Sequence, residues 1–345
     1  MDLVVTFAAP STVAVVEVEA RRPGPGEVRV RTLLSGISAG TELATYRGSN
    51  PYLSRRWDDD RRLFVDGPPA LAYPVADAGY EEVGEVVEVG DGVERVRPAD
   101  VVWGAWGHRS GCVVPEERVA ERVLDVGATP LAGVFARIGA IALNAVLDAA
   151  VNVGETVAVF GQGVPGLIAG QLVRESGATV VAVDQIPRRL ELAGALGAQH
   201  VVDASATSPA EAIRELTDGR GADVAIELSG AYAALAEAVR ATAYGSRVVA
   251  CGFYQGGADG LRLGEEFHHN RIEVVSSQIS GIAPRLAHRW TGIRLERTIV
   301  DLCDDGRLEL EALVSHVLPA ERAADAFRLL DERPDEAVQV VLDFS

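Results

Sequence analysis

The clearest change of hydrophobic period lies between Thr156 and Gly177, in the sequence TVAVFGQGVPGLIAGQLVRESG. It begins as an apolar, β-branched run that predicts a buried strand, and it continues with apolar residues at helical spacing. Three glycines, Gly161, Gly163 and Gly166, separate the two patterns in the spacing G-x-G-x-x-G. The stretch therefore predicts a strand, a tight turn and a helix.

This turn has the spacing of a dinucleotide-binding loop. The first glycine permits the turn, the second lets the backbone approach a pyrophosphate, and the third lets the helix pack closely on the strand. The N-terminus of the helix then faces the phosphates with its partial positive charge. We expect the following residues to bind the cofactor: Gly161, Gln162, Gly163, Val164, Pro165 and Gly166.

An acidic residue ends the next predicted strand, TVVAVD. Asp184 lies 18 positions after Gly166, where a carboxylate accepts hydrogen bonds from an adenosine ribose. Because a carboxylate repels a 2′-phosphate, this favours NAD. Arg188 and Arg189 are close enough in sequence to reach a phosphate, so NADP stays possible and Arg189 is a candidate cofactor contact. The alternative is an ordinary βαβ unit with a surface acid.

Strand and helix patterns alternate through the middle of the chain. Six strand patterns occur over residues 156–280, with helical patterns between them, which predicts a doubly wound parallel sheet. A helix over 135–150 precedes them. Helices over 290–305 and 321–331 and a last strand, AVQVVLDF, follow them.

The first part of the chain is predicted to be mainly β. LVVTF and VAVVEVE predict a hairpin, residues 36–48 a short helical turn, and residues 79–102 an antiparallel, barrel-like segment of period two. We expect a discontinuous β-rich domain over 1–126 and 281–345. A dinucleotide-binding domain over 127–280 is inserted into it, with a ligand in the cleft between the two.

Residues 49–78 are too long for a simple connection. They carry several aromatic residues, four prolines and the charge cluster RRWDDDRR. One interpretation is a lid or substrate-facing loop, and the other is a solvated surface excursion. In the first interpretation Trp57 contacts the substrate, and Trp106 is a second candidate for such a contact.

Composition narrows the classes of function. The 50 acidic and 32 basic residues give a net charge of −18, so neither a nucleic-acid partner nor an anionic membrane is expected. No lysine is present, which excludes Schiff-base chemistry on a lysine. Three scattered cysteines favour a reducing cytoplasm. The N-terminal residues predict a strand rather than a signal peptide, and no transmembrane helix is expected.

Over nearly its full length the chain resembles the medium-chain dehydrogenase/reductase superfamily, the zinc alcohol dehydrogenase-like proteins. The segments that carry the resemblance are VRVRTLLSGISAGTE, GYEEVGEVVEVGDGV, RPADVV, AIALNAVLDAA, VAVFGQGVPGLIAGQL, DVAIELSG and RVVACGF. The resemblance implies an α/β protein with a GroES-like catalytic domain and a Rossmann domain that binds a nicotinamide cofactor. It also implies a small-molecule substrate, a homodimer, and cofactor contacts at Ser229, Gly252 and Ser277.

Other residues stand where family members hold a catalytic zinc. The family's cysteine lies beside a GTD-like motif, and here Ala39 precedes Gly40-Thr41-Glu42. The family's GHE-like motif is Gly79-Tyr80-Glu81, and the third ligand position aligns near Arg137. Ala, Tyr and Arg do not form a zinc site, which needs thiolate, imidazole or carboxylate ligands. We therefore expect no catalytic zinc.

A structural zinc is not expected either. The loop WGAWGHRSGC has one cysteine, Cys112, where the family has four. His268 and His269 are adjacent in sequence, and adjacent side chains do not share a face, so they are interpreted as structural or substrate-lining. In these replacements the chain is similar to the zinc-lacking branch that oxidises the 3-hydroxyethyl group of bacteriochlorophyllides.

Without zinc, other groups must handle the proton. Tyr80 is the candidate acid, Thr41 a proton relay, Glu81 a group that positions Tyr80 or tunes its pKa, and His108 a group that exchanges the proton with solvent. Arg137 either binds an anionic substrate group or pairs with a carboxylate such as Glu81. In the alternative, Tyr80 fills the space of the metal, Thr41 caps a helix and His108 is structural.

These patterns predict a zinc-independent, NAD-preferring dehydrogenase or reductase. It would act on a secondary alcohol or ketone of a bulky hydroxylated small molecule, in specialised metabolism. One alternative is reduction of a conjugated C=C bond, as in zinc-free quinone or enoyl reductases. Another is a dinucleotide-binding protein without catalytic activity.

Overall fold

A computed structural model describes all residues, Met1–Ser345, and contains sixteen strands and eight α-helices. In chain order they are β1 (Asp2–Ala9), β2 (Thr12–Val18), β3 (Glu27–Ile37), α1 (Thr41–Arg47), β4 (Arg56–Asp58), β5 (Leu63–Val65), β6 (Glu82–Val89), β7 (Val101–Gly104), β8 (Gly111–Pro115), α2 (Pro130–Ala149), β9 (Thr156–Phe160), α3 (Val164–Glu175), β10 (Thr179–Asp184), α4 (Pro187–Ala195), β11 (His200–Asp203), α5 (Pro209–Leu216), β12 (Ala222–Glu227), α6 (Tyr232–Ala241), β13 (Thr242–Ala250), β14 (Glu273–Ser276), α7 (Gly292–Asp304), β15 (Val314–Pro319), α8 (Ala323–Glu332) and β16 (Gln339–Asp343). The chain forms two compact units: one comprises Met1–Arg137 and Val314–Ser345, and the other Ile138–Leu313.

The unit Ile138–Leu313, called the nucleotide unit below, is built on a six-stranded parallel sheet. Its strand order is β11-β10-β9-β12-β13-β14, so the chain proceeds outward from β9 on one side and then on the other. This confirms the predicted doubly wound sheet. In such a sheet the carboxyl ends of the strands meet at one edge, and ligands bind where the strand order reverses, here between β9 and β12.

The other unit, called the β-rich unit, has a sheet of order β15-β16-β3-β6-β7, with β8 also paired to β3. The predicted antiparallel hairpin of β1 and β2 is confirmed. β3 is the central strand, since it pairs with β16, β6 and β8. Phe7, Ile37 and Phe327 are buried in the core of this unit. The arrangement holds the ends of β3 and β6 in register, and the candidate site lies there.

The boundaries between the units fall later in the chain than predicted. They lie after Arg137 and after Leu313, rather than after residues 126 and 280. The physical reason is the packing of α7 on α2 inside the nucleotide unit. A β-carbon on Gly139 of α2 would come within 2.6 Å of Ile299 of α7, so the two helices are in close contact.

Two elements differ from the sequence predictions. α2 begins at Pro130 rather than at residue 135, because proline is tolerated in the first turn of a helix. β15 is absent from the predictions. Its sequence, VSHVLP, is a half-buried edge strand with polar residues and a terminal proline, so its period-two pattern is weak.

One helix is long and apolar enough to cross a membrane. It is α2, with a mean hydropathy of 1.7 in its most apolar window. Of that window, 72% is buried inside the protein, as in the core helix of a soluble protein.

Candidate active site

The glycine turn after β9 has the geometry that its sequence predicts. Gly161 has φ +88°, a conformation that favours glycine. A β-carbon on Gly166 would overlap the carbonyl oxygen of Gly161, so the helix approaches the strand backbone directly. Gly163 precedes the first turn of α3, and the nearest atom to a β-carbon there would be 3.9 Å away, in the ring of Pro165. The second glycine therefore leaves open space at the N-terminus of the helix, where an anion would bind.

Asp184 ends β10 beside this turn. Its Oδ2 accepts the backbone N–H of Gln162 at 2.6 Å, and its Oδ1 accepts those of Gln185 and Ile186 at 2.7 and 2.9 Å. The carboxylate therefore holds the turn, and its contact with a ribose stays a prediction. Arg189 lies in the first turn of α4, directly after this strand.

The loops after β12 and β13 reach the same edge of the sheet. A β-carbon on Gly161 would come within 2.7 Å of the backbone nitrogen of Ser229, and Gly252 packs on the backbone of Gly230. Glu227, which the sequence analysis does not identify, accepts hydrogen bonds from both loops. In the strand ADVAIE it is the acid that directly follows three apolar residues, and this pattern is the signal by which the sequence could have identified it.

Ser277 is placed differently from its predicted role as a cofactor contact. It is 4% exposed, and its hydroxyl accepts a hydrogen bond from the Asn144 side chain at 3.2 Å. It is also close enough to Asp148 to lower the pKa of that carboxyl, against the raising effect of burial. The Ser277 hydroxyl is therefore engaged with α2 rather than with the open edge of the sheet.

In the β-rich unit, Tyr80 stands at a position that resembles a zinc-ligand position and lies beside Ser38. The Tyr80 hydroxyl forms a hydrogen bond with the Ser38 hydroxyl. Burial, followed by the nearby Glu81 carboxylate, raises the pKa of Tyr80, and the hydrogen bonds of Ser38 and Thr41 oppose that shift. The phenol is therefore a proton donor throughout the neutral range. Thr41 is the first residue of α1, and Gly40 occupies the N-cap position without a side-chain cap, so the prediction that Thr41 caps the helix is wrong.

His108 is buried in a polar network behind this pair. Its Nε2 lies 2.6 Å from Glu42 Oε2, and its Nδ1 lies 2.6 Å from the Ser35 hydroxyl, which donates to Glu82 Oε1 at 3.1 Å. The Ser35 hydroxyl therefore connects His108 to Glu82. Burial alone would lower the pKa of His108, but Glu42 and Glu82 raise it.

This burial corrects the predicted role of His108 as a group that exchanges protons with solvent. The side chain is 0% exposed, and the ring packs against Phe327 with 5.9 Å between ring centroids. It therefore stabilises Glu42 at the start of α1. The Oε1 of Glu42 accepts the Ser38 N–H at 3.0 Å, so the network reaches the residue that contacts Tyr80.

Trp106 is a core residue rather than a substrate contact. Its ring nitrogen donates to Thr32 Oγ1 at 2.9 Å, and its backbone N–H donates to Glu82 Oε2 at 2.8 Å. Only 8% of the residue is exposed, and it packs among the valines of the barrel core, including Val28 and Val86. The indole N–H has its partner inside the unit, so this corrects the prediction.

Glu81 is almost completely buried, with 1% of its surface exposed, and neither carboxylate oxygen has a hydrogen-bond partner. Glu81 is therefore not a hydrogen-bond partner of Arg137, and the pairing of Arg137 with another carboxylate or with a substrate anion stays a prediction. Burial, followed by the charges of Glu42 and Glu82, raises the pKa of Glu81 well above its usual value. Its Oε2 would lie 2.6 Å from a β-carbon on Gly36, which places the carboxyl beside β3.

The segment 49–78 forms a surface structure that includes the small hairpin β4–β5. Trp57 is 37% exposed, and its ring lies 5.3 Å from that of Phe64, which lies at the same distance from Tyr52. The hairpin is solvated and presents an aromatic surface, and the interpretation that it faces a substrate stays a prediction. Arg137, the other predicted substrate contact, lies half-buried on α2.

The donor atoms near Tyr80 do not fit a zinc ion. No group of three or more His, Cys, Asp or Glu side chains is arranged to hold a metal. Ser38 and Tyr80 present hydroxyls, and the one nearby imidazole, His108, is held by Glu42 and Ser35. Zinc sites in proteins are built from thiolate, imidazole and carboxylate ligands. His269 Nδ1 contacts the backbone oxygen of Glu265 at 3.0 Å, and the three cysteines are unpaired thiols.

The buried network predicts a pH dependence of stability. Burial raises the pKa of Glu82 to about 7, despite the opposing charge of His108, and the pKa of His108 is also raised. The folded state therefore binds more protons than the unfolded state between about pH 5 and 8, so the free energy of unfolding falls as pH rises through this window. We expect Glu82→Gln to reduce that fall by about 2 kcal/mol in urea titrations at several pH values.

Glu85→Gln is the matched control for this change. Glu85 lies on the same strand and forms a partly exposed ion pair with Arg31 at 2.7 Å, so its loss leaves the buried network intact. A Glu82→Gln profile parallel to that of the wild type would contradict the assignment of the titration to this network.

The two units together define a class. One unit has a doubly wound sheet, a G-x-G-x-x-G turn and an acid at the end of the next strand. The other unit is β-rich and holds a phenol and buried acids. These features are the framework of a dinucleotide-binding oxidoreductase.

Comparisons with known proteins identify the family. The family model of the zinc-binding dehydrogenases matches residues 165–291. The D-guloside 3-dehydrogenase of Escherichia coli (strain K12) is 30% identical over 344 residues, covering 97% of this chain and 98% of that protein. The (R,R)-butanediol dehydrogenase of Bacillus subtilis (strain 168) is 30% identical over 294 residues, covering 77% and 79%. The solved alcohol dehydrogenase TADH from Thermus sp. ATN1 is 26% identical with a TM-score of 0.77, and 99% of each chain is covered. The chain belongs to the zinc-binding dehydrogenase family of the medium-chain dehydrogenase/reductase superfamily.

Proposed function

We propose that this protein is a nicotinamide-dependent, zinc-independent dehydrogenase. It oxidises a secondary hydroxyl group of a polyhydroxylated small molecule, such as a ring hydroxyl of a glycoside, or reduces the corresponding ketone. The observation that carries the proposal is the complete glycine turn in a chain that has Ala39 and Tyr80 at metal-ligand positions of the family, with the Tyr80 hydroxyl bonded to that of Ser38. The similar D-guloside 3-dehydrogenase and (R,R)-butanediol dehydrogenase are named for secondary alcohols, which supports the substrate class.

The residues of the nucleotide unit have the chemistry to hold the cofactor. The backbone at the N-terminus of α3 binds the pyrophosphate, and Asp184 accepts hydrogen bonds from the adenosine ribose. The nicotinamide ring, when bound, accepts hydride from the carbinol carbon or returns it to the ketone. The zinc usual in the family takes no part, because the donor set near Tyr80 does not fit it.

Tyr80 supplies the acid in this proposal. In the direction of reduction, its phenol donates a proton to the carbonyl oxygen as negative charge develops there. The π electron pair of the carbonyl moves to its oxygen as hydride reaches the carbon, and the new O–H bond forms there. A proton from solvent, passed through the hydroxyls of Ser38 and Thr41, restores the phenol. Because Ser38 is anchored through its backbone N–H to Glu42, the network around His108 fixes the position of this pair.

Metal analysis combined with a substrate panel tests the proposed function. Purified protein is assayed for zinc by mass spectrometry and for NAD reduction with methyl glycosides and vicinal diols, before and after treatment with EDTA. We expect fewer than about 0.1 zinc ions per protein chain and an activity that EDTA does not change. One zinc per chain together with loss of activity on chelation would contradict the metal-free mechanism. Reduction of enones without oxidation of any alcohol would instead favour a C=C reductase.

Asp184 is proposed to set the preference for NAD. We expect Asp184→Ala to reduce the ratio of kcat/KM for NAD to that for NADP about tenfold, equivalent to ~1.4 kcal/mol, because the repulsion of the 2′-phosphate and the ribose hydrogen bonds are both lost. Steady-state kinetics with each cofactor measure the ratio.

The control for Asp184 is Asp203→Ala. Asp203 ends the neighbouring strand β11 in register with Asp184, and its carboxylate accepts the backbone N–H of Ser205 at 2.8 Å. This substitution removes a similar strand-end acid and should leave the ratio unchanged. An unaltered ratio in Asp184→Ala would reject the ribose assignment.

A further inference from the structure

Glu227 is a buried acid at the carboxyl edge of the nucleotide unit's sheet, and the proposed reaction does not use it. It is 0% exposed and is the last residue of β12. In the sheet register it pairs with Phe160 of β9 on one side and with Ala250 of β13 on the other. It therefore lies where the glycine turn and the loops after β12 and β13 begin.

The hydrogen bonds of Glu227 fill the capacity of its carboxylate. Its Oε1 accepts the backbone N–H of Ser229 at 2.7 Å and the Ser229 hydroxyl. Its Oε2 accepts the backbone N–H of Gly230 at 3.2 Å and the Tyr254 hydroxyl. An ionised carboxylate has about four lone-pair sites, so each has a donor. Burial, the largest effect, raises the pKa of the Glu227 carboxyl, and these hydrogen bonds oppose that rise.

These contacts join the loops after β12 and β13 around one side chain. The backbone oxygen of Glu227 accepts the N–H groups of Cys251 and Gly252 at 2.9 and 3.1 Å. A β-carbon on Gly252 would overlap the Gly230 nitrogen and lie 2.8 Å from Glu227 Oε2. A β-carbon on Gly161 would lie 2.7 Å from the Ser229 nitrogen. The loops after β12 and β13 therefore share the Glu227 carboxylate as their acceptor, and the turn after β9 packs against the backbone of Ser229.

The position of Glu227 in the sheet indicates which half of a bound dinucleotide would lie near it. Asp184 ends β10, which pairs with β9 on the side opposite β12. A dinucleotide lies across the strand-order reversal, with its pyrophosphate at the N-terminus of α3. With the adenosine half at Asp184, the nicotinamide half lies over the loops after β12 and β13.

We propose that Glu227 is a positioning residue for the nicotinamide half of the cofactor. It holds the loops 228–231 and 251–254 in the shape that receives the ring, without contacting the ring itself. This inference rests on the proposed function, because it assumes that the bound molecule is a nicotinamide dinucleotide. It predicts that damage to this network affects the nicotinamide half and spares the adenosine half.

Titrations of Glu227→Gln with two probes, NADH and ADP, test this prediction. The amide directs N–H groups at some of the donors of Ser229, Gly230 and Tyr254, so the loops must move apart. We expect Kd for NADH to rise about tenfold, while Kd for ADP stays within about twofold of the wild-type value. If the substitution only disturbed the structure, the binding of both ligands would weaken together, and that result would overturn the proposal.

Two further variants keep the test decisive. Asp223→Asn is the matched control, because Asp223 lies on the same strand about 13 Å away and its Oδ2 accepts the Thr156 N–H at 2.8 Å. It should leave both Kd values unchanged. Tyr254→Phe removes one of the four hydrogen bonds and should raise Kd for NADH about threefold, which decides the matter if Glu227→Gln does not fold.

The outcomes separate the two proposals. If the wild-type protein binds NADH and the Glu227→Gln and Tyr254→Phe variants bind it equally well, the positioning role alone is overturned. A wild-type protein that binds neither NADH nor NADPH would overturn the proposed function and this inference together.

Discussion

Replacement of Tyr80 by phenylalanine is expected to lower kcat for ketone reduction about 100-fold, within the range that a positioned general acid contributes. The substitution removes only the hydroxyl that bonds to Ser38 and leaves the ring in place. Burial and the Glu81 carboxylate raise the pKa of Tyr80, so the phenol keeps its proton at working pH and can give it to the developing alkoxide. Stopped-flow or steady-state rates at saturating NADH measure the loss.

Tyr73→Phe is the matched control for this variant. Tyr73 is also partly buried in the β-rich unit, and its hydroxyl donates to the backbone oxygen of Thr45 on α1. Loss of that hydroxyl removes a structural hydrogen bond and should lower stability by about 1 kcal/mol without changing kcat. If Tyr80→Phe retains near wild-type kcat, Tyr80 only fills space, and the proton donor must be sought elsewhere.

Substitution of Gly166 by alanine is expected to weaken the binding of the cofactor strongly. Its β-carbon would overlap the carbonyl oxygen of Gly161, and a backbone atom cannot turn away as a side chain can. Helix α3 must then move off β9, which carries its N-terminal amides away from the pyrophosphate position. We expect the free energy of unfolding to fall by about 3 kcal/mol and Kd for NADH to rise about 100-fold. Urea unfolding and fluorescence titration measure the two effects.

Gly170→Ala provides the control for the glycine substitution. Gly170 lies in the interior of the same helix, and a β-carbon there would meet only the Val180 side chain, at an ordinary 3.7 Å. This variant should be unchanged or up to about 1 kcal/mol more stable, since alanine favours helix over glycine. Normal NADH binding by Gly166→Ala would mean that the close approach of helix and strand is not required.

Some of the candidate site follows from local sequence. The strand, turn and helix around Gly161–Gly166 need only a change of hydrophobic period and three glycines, and the structure reproduces them. Asp184 follows as well, because a parallel strand ends at the same edge as its neighbour. These features are local, and the spacing of residues within about 30 positions is enough to predict them.

The acid networks do not follow from local sequence. His108 and Glu42 are 66 residues apart, and Ser38 and Tyr80 are 42 apart. No periodicity relates such positions, because the pairing of β3 with β6 and the packing of α1 bring them together. For the same reason the local sequence does not reveal that His108 and Trp106, which are predicted to contact solvent or substrate, are buried in the folded chain.

The sequence by itself determined the class of the nucleotide unit and the position of its cofactor turn, since each depends on residue type at short spacing. Only the tertiary structure decided which acids are buried, that His108 lies buried between Glu42 and Ser35, and that the Glu227 carboxylate accepts hydrogen bonds from two loops. Burial and long-range hydrogen bonds fix these properties, and both arise only when distant segments meet.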